Sequence, residues 1–114
     1  IFQAQPELAR EVEAKDSTWD ALLEALQAPI THPRGTARNA MGDFPIPIAG
    51  KTGTWEVAGS ISNGLFVGFA PAHDPEILVA VVVEKGGGGS STAAPIARKV
   101  LDAYFGFDTE GDEE

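Results

Sequence analysis

Residues 48–57 have the sequence IAGKTGTWEV, in which residues 51–54 form the tetrapeptide KTGT. Its β-branched and aromatic residues favour a β-strand. Two further segments of β character follow closely, residues 65–70 (LFVGFA) and residues 77–84 (ILVAVVVE). Short connections between consecutive strands are typical of antiparallel hairpins. This part of the chain therefore predicts a three-stranded antiparallel meander within residues 46–84.

The third of these segments is almost entirely apolar, which is typical of a strand that is covered on both faces. We therefore predict that residues 77–84 form a central strand with helices on either side. The turn between the first two strands is expected in residues 58–64, because Asn63-Gly64 is a dipeptide that favours tight turns.

An amphipathic helix is predicted over residues 17–28. Ser17 is a suitable N-cap, and Pro29 disfavours helical backbone at the residue before it. Four apolar side chains at helical spacing indicate one buried face of core residues: Trp19, Leu22, Leu23 and Leu26.

A second helix is predicted over residues 91–105, after the glycine-rich segment 86–89. Its N-cap would be Ser91 or Thr92, and Gly106 is a suitable C-terminal stop. The residues expected on its buried side are Ile96 and Val100, with Ala97, Leu101 and Tyr104 as further candidates. Together with the meander, these helices predict the α+β class. Residues 1–16 are expected to form an irregular lead-in or a short helix.

Composition excludes several classes of function. The 114 residues include 17 acidic and eight basic side chains, a formal net charge of −9, which argues against nucleic-acid binding and against a polybasic membrane-surface module. Five of the acids lie in residues 108–114, which we predict to be a disordered acidic tail. With no cysteine and only two isolated histidines, His32 and His73, we expect neither a metal site nor a cofactor.

The KTGT segment is the main candidate for chemistry. The simplest interpretation is that its side chains belong to the exposed face of a strand. A functional interpretation accounts for each position, however, because Lys51 supplies a positive charge and the Thr52 and Thr54 hydroxyls can hold a carboxylate. Gly53 lets the backbone approach a ligand, and the Thr54 N–H can stabilise an oxyanion. Trp55 either lines a cleft or packs against the protein.

Four segments together resemble the C-terminal end of the transpeptidase domain of class B penicillin-binding proteins, with the Trp19 helix and residues 35–37 (GTA) as further similarities. They are residues 49–54 (AGKTGT), 66–71 (FVGFAP), 81–84 (VVVE) and 88–97 (GGSSTAAPIA). The resemblance implies that residues 1–107 are the C-terminal portion of a transpeptidase/β-lactamase-like domain. The predicted meander would then be part of a larger five-stranded sheet.

In that family a serine of an S-x-x-K motif attacks the D-Ala-D-Ala peptide bond, and an S-x-N motif assists proton transfer. By resemblance, Lys51 would be the lysine of the third motif. Thr52 and Thr54 would bind the terminal carboxylate of a peptidoglycan stem peptide or of a β-lactam, and the Thr54 amide would be half of the oxyanion hole. The resemblance thus implies a substrate-binding set of Lys51, Thr52, Gly53, Thr54 and Trp55.

The chain departs from the family pattern in one important respect, because it contains neither S-x-x-K nor S-x-N. We therefore expect a C-terminal fragment that sits against an N-terminal partner segment of the same parent protein and is inactive alone. The parent would be membrane-anchored, with this part on the extracytoplasmic face of a bacterial cell membrane. A serine β-lactamase, a β-lactam sensor and a non-catalytic binding module are the alternatives.

Overall fold

Three helices and three strands make up the part of the chain that the computed structural model describes, residues 1–59 and 61–108. The helices are α1 (Asp16–Thr31), α2 (Arg38–Met41) and α3 (Ala94–Phe105), and a π-helical turn, Gly89–Ala93, leads directly into α3. The strands are β1 (Ala49–Val57), β2 (Ile61–Ala70) and β3 (Ile77–Val83). The α+β class is confirmed. The lead-in before Asp16 is irregular, and the predicted acidic tail lies, from residue 109 onward, outside the described residues.

The strands form one antiparallel sheet in the order β1-β2-β3, so the predicted meander is confirmed. Thr52 pairs with Phe66 across the first ladder, and Gly68 pairs with Val79 across the second. Because β2 has a neighbour on each side, it is the central strand of the described sheet. This leaves β1, which carries the KTGT segment, with one free edge.

The helices cover one face of this sheet, where alternate residues of β2 and β3 point into a single core. Phe66 is fully buried at its centre, between Gly50 of β1 and Gly68 of β2. A Cβ atom at either glycine would lie 2.8 or 2.7 Å from the Phe66 ring, closer than carbon atoms approach. The other core residues are Ile30, Ala37, Met41, Phe44, Ile48, Ala70, Val79, Ala93, Ala94, Ala97 and Leu101.

The prediction that the third strand is covered on both faces is wrong for the described part of the chain. Val79 is buried, but Leu78 and Val82, on the opposite face of β3, are 62% and 56% exposed. The core helices lie against the Val79 face, and no described residue covers the other one. The apolar sequence of this strand therefore predicted burial on both faces, but the described residues bury only one face.

Helix α1 differs from the prediction at both ends. It begins at Asp16, one residue before the predicted N-cap Ser17, and continues through Pro29 to Thr31. The last turn persists because Ile30 is buried in the core and because the Pro29 carbonyl accepts a hydrogen bond from the Ala37 N–H at 2.9 Å. Tertiary packing thus outweighs the local cost of a proline.

The apolar face of α1 is also less buried than predicted. Trp19 and Leu22 are 42% and 48% exposed, and Leu23 and Leu26 are half-buried. Only the C-terminal end of α1 reaches the core, through Ile30. The spacing of the leucines predicted the helix correctly, but the described residues provide little to pack against its first turns.

The hairpin turn between β1 and β2 falls on Ala58 and Gly59, which have φ of 53° and 90°. Asn63 and Gly64 lie inside β2 instead, so their prediction as the turn is wrong. The Asn63 side chain accepts a hydrogen bond from the Lys85 N–H at 2.8 Å, and a Cβ atom at Gly64 would lie 2.7 Å from the Thr92 hydroxyl oxygen. Contacts with distant parts of the chain therefore explain why an asparagine and a glycine fit inside this strand.

Helix α3 begins later than predicted, and its buried face includes fewer of the predicted residues. The π-helical turn replaces an N-cap at residue 91 or 92, while the stop at Gly106, with φ of 81°, is confirmed. Ala97 and Leu101 are buried as expected. The predicted burial of three others is wrong, since all are exposed: Ile96, Val100 and Tyr104. None of the described helices is long and apolar enough to cross a membrane.

Candidate active site

Strand β1 carries every predicted site residue, and its pairing determines which way each side chain points. Thr52 and Thr54 pair with Phe66 and Gly64, so they share the helix-covered face of the sheet. Lys51, Gly53 and Trp55 alternate with them and point to the opposite face. The strand therefore offers two hydroxyls on one side and a cation and an indole on the other.

The Thr52 hydroxyl donates a hydrogen bond to the hydroxyl of Thr36 at 2.8 Å. Thr36 belongs to the loop between α1 and α2, which is anchored by the fully buried Ala37. Since a hydroxyl has one donor proton, the Thr36 proton remains free to donate to a further acceptor. Thr36 was absent from the predicted site set, although residues 35–37 (GTA) were part of the family resemblance.

The Thr54 hydroxyl accepts a hydrogen bond from the Gly89 N–H at 3.0 Å. This leaves the Thr54 hydroxyl proton available, and Thr54 itself is exposed. Gly89 is the first residue of the π-helical turn, so the glycine-rich segment lies directly behind the KTGT strand. The sequence analysis placed this segment before the second helix and predicted no contact between it and the KTGT strand.

Lys51 lies at the free edge of β1. Its ammonium donates to the Thr52 carbonyl oxygen at 2.9 Å and is otherwise exposed. Lys51 also lines an open pocket of about 330 Å³ together with His32, Arg34 and Thr36. None of the described residues that line this pocket is acidic, so it forms a positive region in an acidic protein and suits an anion.

A second polar cluster, centred on Arg98 of α3, has a structural role. Arg98 donates to Asp43 at 2.6 Å, to the Ala40 carbonyl at 3.0 Å and to Asp102 at 2.9 Å, and it lies over the Phe44 ring. The hydrogen bond from Arg98, together with its charge, holds the pKa of Asp43 below the ordinary value. Burial opposes the charge of Arg98, but the hydrogen bonds to its carboxylate partners raise its pKa overall.

The described residues contain no group of three or more His, Asp or Glu side chains arranged to hold a metal ion. The Nδ1 atom of His32 accepts a hydrogen bond from the Arg34 N–H at 3.0 Å, which orders the loop beside Lys51. The chemistry available at the site is therefore hydrogen bonding and charge. Strand β1 supplies an ammonium, two threonine hydroxyls and backbone amides, and the neighbouring loop supplies the Thr36 hydroxyl.

Residues 2–102 match the family described as "Penicillin binding protein transpeptidase domain", and the chain belongs to that family. Among curated proteins, it is 36% identical over 105 residues to the peptidoglycan D,D-transpeptidase MrdA of Haemophilus influenzae, covering 79% of this chain and 16% of that protein. MrdA of Acinetobacter baumannii is 38% identical over 102 residues, covering 76% of this chain and 15% of that protein.

Solved structures agree. Pseudomonas aeruginosa PBP2, in complex with WCK 5153, is 39% identical with a TM-score of 0.79, over 96% of this chain and 24% of that one. Penicillin-binding protein 2B of Streptococcus pneumoniae is 29% identical with a TM-score of 0.73, over 94% and 18%. The imipenem acyl-enzyme complex of penicillin-binding protein A from M. tuberculosis is 34% identical with a TM-score of 0.60, over 78% and 19%. The chain spans about 16% of the length of the curated relatives it matches.

Proposed function

We propose that this chain is the C-terminal part of the catalytic domain of a peptidoglycan D,D-transpeptidase. It contributes the KTG strand, which forms the carboxylate-binding and oxyanion-binding wall of the site. The observation that carries the proposal is the exposed KTGT strand within a family match over residues 2–102. The curated relatives are named as enzymes of this activity, and the M. tuberculosis relative forms a β-lactam acyl-enzyme.

The carboxylate of the stem peptide, or of a β-lactam, binds to the threonine hydroxyls of β1 near Lys51. The hydrogen bonds described above support this role, because they leave hydroxyl protons of Thr54 and Thr36 free while fixing the oxygen atoms that carry them. The negative charge of the carboxylate strengthens these bonds, and the exposed Lys51 ammonium at the free edge of β1 attracts the anion to the site. Trp55 is 43% exposed on the same face as Lys51 and borders the substrate cleft.

The Thr54 N–H serves as one donor of the oxyanion hole. Two contacts support its direction. The Thr52 carbonyl is reached by the Lys51 ammonium from outside the sheet, and alternate residues of an antiparallel strand direct their backbone groups to the same edge. The Gly53 carbonyl oxygen, which belongs to the same peptide unit as the Thr54 N–H, lies against Gly89 together with the carbonyl oxygen of Leu65, its partner on β2, and so points inward. The two groups of a trans peptide point in opposite directions, which leaves the N–H at the free edge.

The reaction needs a serine nucleophile, which an upstream segment of the same parent protein supplies. The serine oxygen attacks the carbonyl carbon of the penultimate D-alanine, and the developing oxyanion accepts a hydrogen bond from the Thr54 N–H. The C–N bond breaks, terminal D-alanine leaves with the serine proton, and an acyl-serine ester forms. An amine of a second stem peptide then attacks the ester and releases the serine with a new peptide bond. No cofactor takes part.

Several uncovered apolar surfaces support the presence of such a partner segment. They comprise the outer face of β3 and parts of α1 and α3, represented by Leu78, Val82, Trp19, Leu22 and Ile96. The free edge of β3 could also pair with further strands, which would extend the three-stranded sheet toward the predicted five. In the parent protein, which we propose to be membrane-anchored upstream, these surfaces pack against the rest of the domain on the extracytoplasmic side of the membrane.

The test is covalent labelling of the full-length parent protein with a fluorescent penicillin. We expect labelling of the wild type and a loss of about 10²-fold or more in labelling rate for Lys51→Ala. Lys99→Ala is the matched control, because Lys99 is an exposed lysine of α3 away from β1, and it should label at the wild-type rate. Unchanged labelling of Lys51→Ala would contradict the role of Lys51.

Acyl-enzyme lifetime separates the alternatives to a transpeptidase. A persistent adduct with little turnover of nitrocefin is the expected result. Rapid nitrocefin hydrolysis would identify a β-lactamase instead. A folded protein without any labelling would favour a non-catalytic binding module.

A further inference from the structure

We propose that Gly89 is a positioning residue for the reaction, because its backbone supports the peptide unit that carries the Thr54 N–H. The inference rests on the proposed function of Thr54. It concerns the glycine-rich segment after β3, which has no part in the chemistry itself. Two kinds of contact carry the inference, a hydrogen bond to the Thr54 side chain and close backbone packing against Gly53.

The hydrogen bond runs from the Gly89 N–H to the Thr54 hydroxyl oxygen, at 3.0 Å. It fixes the Thr54 side chain in one rotamer and directs the remaining hydroxyl proton away from Gly89. Gly89 is itself buried, which limits the access of water to the donor of this bond.

Close packing is the second contact. A Cβ atom at Gly89 would overlap the carbonyl oxygens of Gly53 and Leu65, a cross-strand pair of β1 and β2. Only glycine therefore fits at this position. The Gly53 carbonyl is the other half of the peptide unit that ends in the Thr54 N–H. Because a peptide unit is planar, pressure on the Gly53 oxygen tilts the Thr54 N–H by the same angle.

The π-helical turn is held in place by a second set of contacts. Thr92 donates both its N–H and its hydroxyl to the Gly88 carbonyl, at 3.0 and 2.7 Å. The same hydroxyl oxygen lies against Gly64, the cross-strand partner of Thr54. The turn thus contacts the motif strand at residues 53 and 54 and its neighbour at residues 64 and 65. It acts as a rigid backing for this part of the site.

The glycine-rich segment offers a matched control for this role. A Cβ atom at Gly88 would lie 3.4 Å from the Thr54 hydroxyl and 3.7 Å from the Ser91 hydroxyl, which is ordinary contact. Gly88 has φ of −82° and ψ of 158°, which any residue adopts. Gly88→Ala and Gly89→Ala therefore add the same methyl group at adjacent positions. Only Gly89→Ala is expected to displace β1, the strand that carries the KTGT segment.

The experiment measures the acylation rate constant of the full-length parent protein with a fluorescent penicillin, separately from the dissociation constant of the reversible complex. We expect Gly89→Ala to lower the acylation rate constant by about 10- to 100-fold, because an error of roughly 1 Å in a catalytic donor costs this much. Gly88→Ala should stay within about twofold of the wild type. Melting temperatures are measured in parallel, and rates are compared well below them, where both variants are folded.

A folded Gly89→Ala variant that is acylated at the wild-type rate would overturn the positioning role. If this variant does not fold, Thr92→Val decides, since it removes one of the bonds to the Gly88 carbonyl and retains the shape of the side chain. We expect a roughly three- to tenfold lower acylation rate constant for Thr92→Val, and an unchanged rate would overturn the inference. A wild-type protein that is not acylated at all would instead contradict the proposed function.

Discussion

Gly68→Ala probes how tightly the sheet is packed around Phe66. A methyl group at this position would lie 2.7 and 2.8 Å from two atoms of the Phe66 ring and 3.1 Å from the Ala49 carbonyl oxygen. Favourable carbon–carbon contacts need about 3.5–4.0 Å, so the ring would have to move by roughly 1 Å. Neither side can yield easily, because β2 is hydrogen-bonded to both neighbours and Phe66 is fully buried.

We expect this overpacking to lower the free energy of unfolding by about 1–3 kcal/mol. Phe66→Leu alone should also destabilise, by about 1–2 kcal/mol, because it removes buried ring atoms. In the double variant the smaller leucine makes room for the new methyl group. The two effects should therefore be less than additive, with a coupling energy of about 1 kcal/mol or more.

Chemical denaturation of the wild type, both single variants and the double variant, followed by fluorescence or circular dichroism, measures these differences. Gly53→Ala is the control for adding a methyl group to the same sheet, since its Cβ atom would meet Leu65 at an ordinary 3.5 Å. It should destabilise less than Gly68→Ala. Strict additivity of Gly68→Ala and Phe66→Leu would refute the reasoning that the two positions compete for the same space.

Three further predictions concern the hydroxyl pair, the Arg98 cluster and the uncovered sheet face. Thr36→Val should weaken reversible penicillin binding by the full-length protein about three- to tenfold, because it removes the hydroxyl bonded to Thr52. Thr36→Ser retains the hydroxyl and should bind penicillin with the wild-type affinity. Equal penicillin affinities of the two variants would argue against a role for this hydroxyl. The pKa of Asp43 is lowered in the folded state, so its contribution to stability is present above pH 3.8 and is lost as the pH falls through the lower folded-state pKa. Asp43→Asn should therefore lower the free energy of unfolding at neutral pH. Denaturation curves should show that the difference from the wild type shrinks below pH 3.8. Val82→Lys should reduce self-association of the isolated chain in sedimentation experiments. In the full-length protein it should lower the melting temperature by ~5 °C or more, because it places a charge on a covered apolar surface. An unaffected melting temperature would show that the outer face of β3 stays uncovered.

Local sequence was sufficient to predict the strands, the long helix and the motif. Runs of β-branched and aromatic residues favour strands, whatever packs against them. In the same way, the spacing of apolar residues over residues 19–26 predicts a helix without reference to any partner. The stop of α3 at Gly106 was predictable for the same reason, since a left-handed residue is a local requirement that glycine meets most easily. The KTGT segment was recognisable because its chemistry lies in four consecutive residues.

Which faces are buried could not be predicted, because burial depends on what packs from elsewhere in the protein. The stripe led by Trp19 and the apolar strand β3 have the composition of core residues, yet Trp19, Leu22 and one face of β3 are exposed in the described part of the chain. The chain covers only a fraction of the length of its relatives, and its described residues do not supply the burial that these patterns predicted.

The sequence by itself determined the strand order, the class of fold and the identity of the motif, because each depends on residues that are neighbours along the chain. Only the tertiary structure decided that Asn63 and Gly64 belong to a strand, that Thr36 joins Thr52, and that Gly89 backs the Thr54 peptide unit. In each case the partners are separated by at least 16 residues. Such contacts exist only after the sheet has formed, because its geometry brings those backbone and side-chain groups within hydrogen-bonding distance.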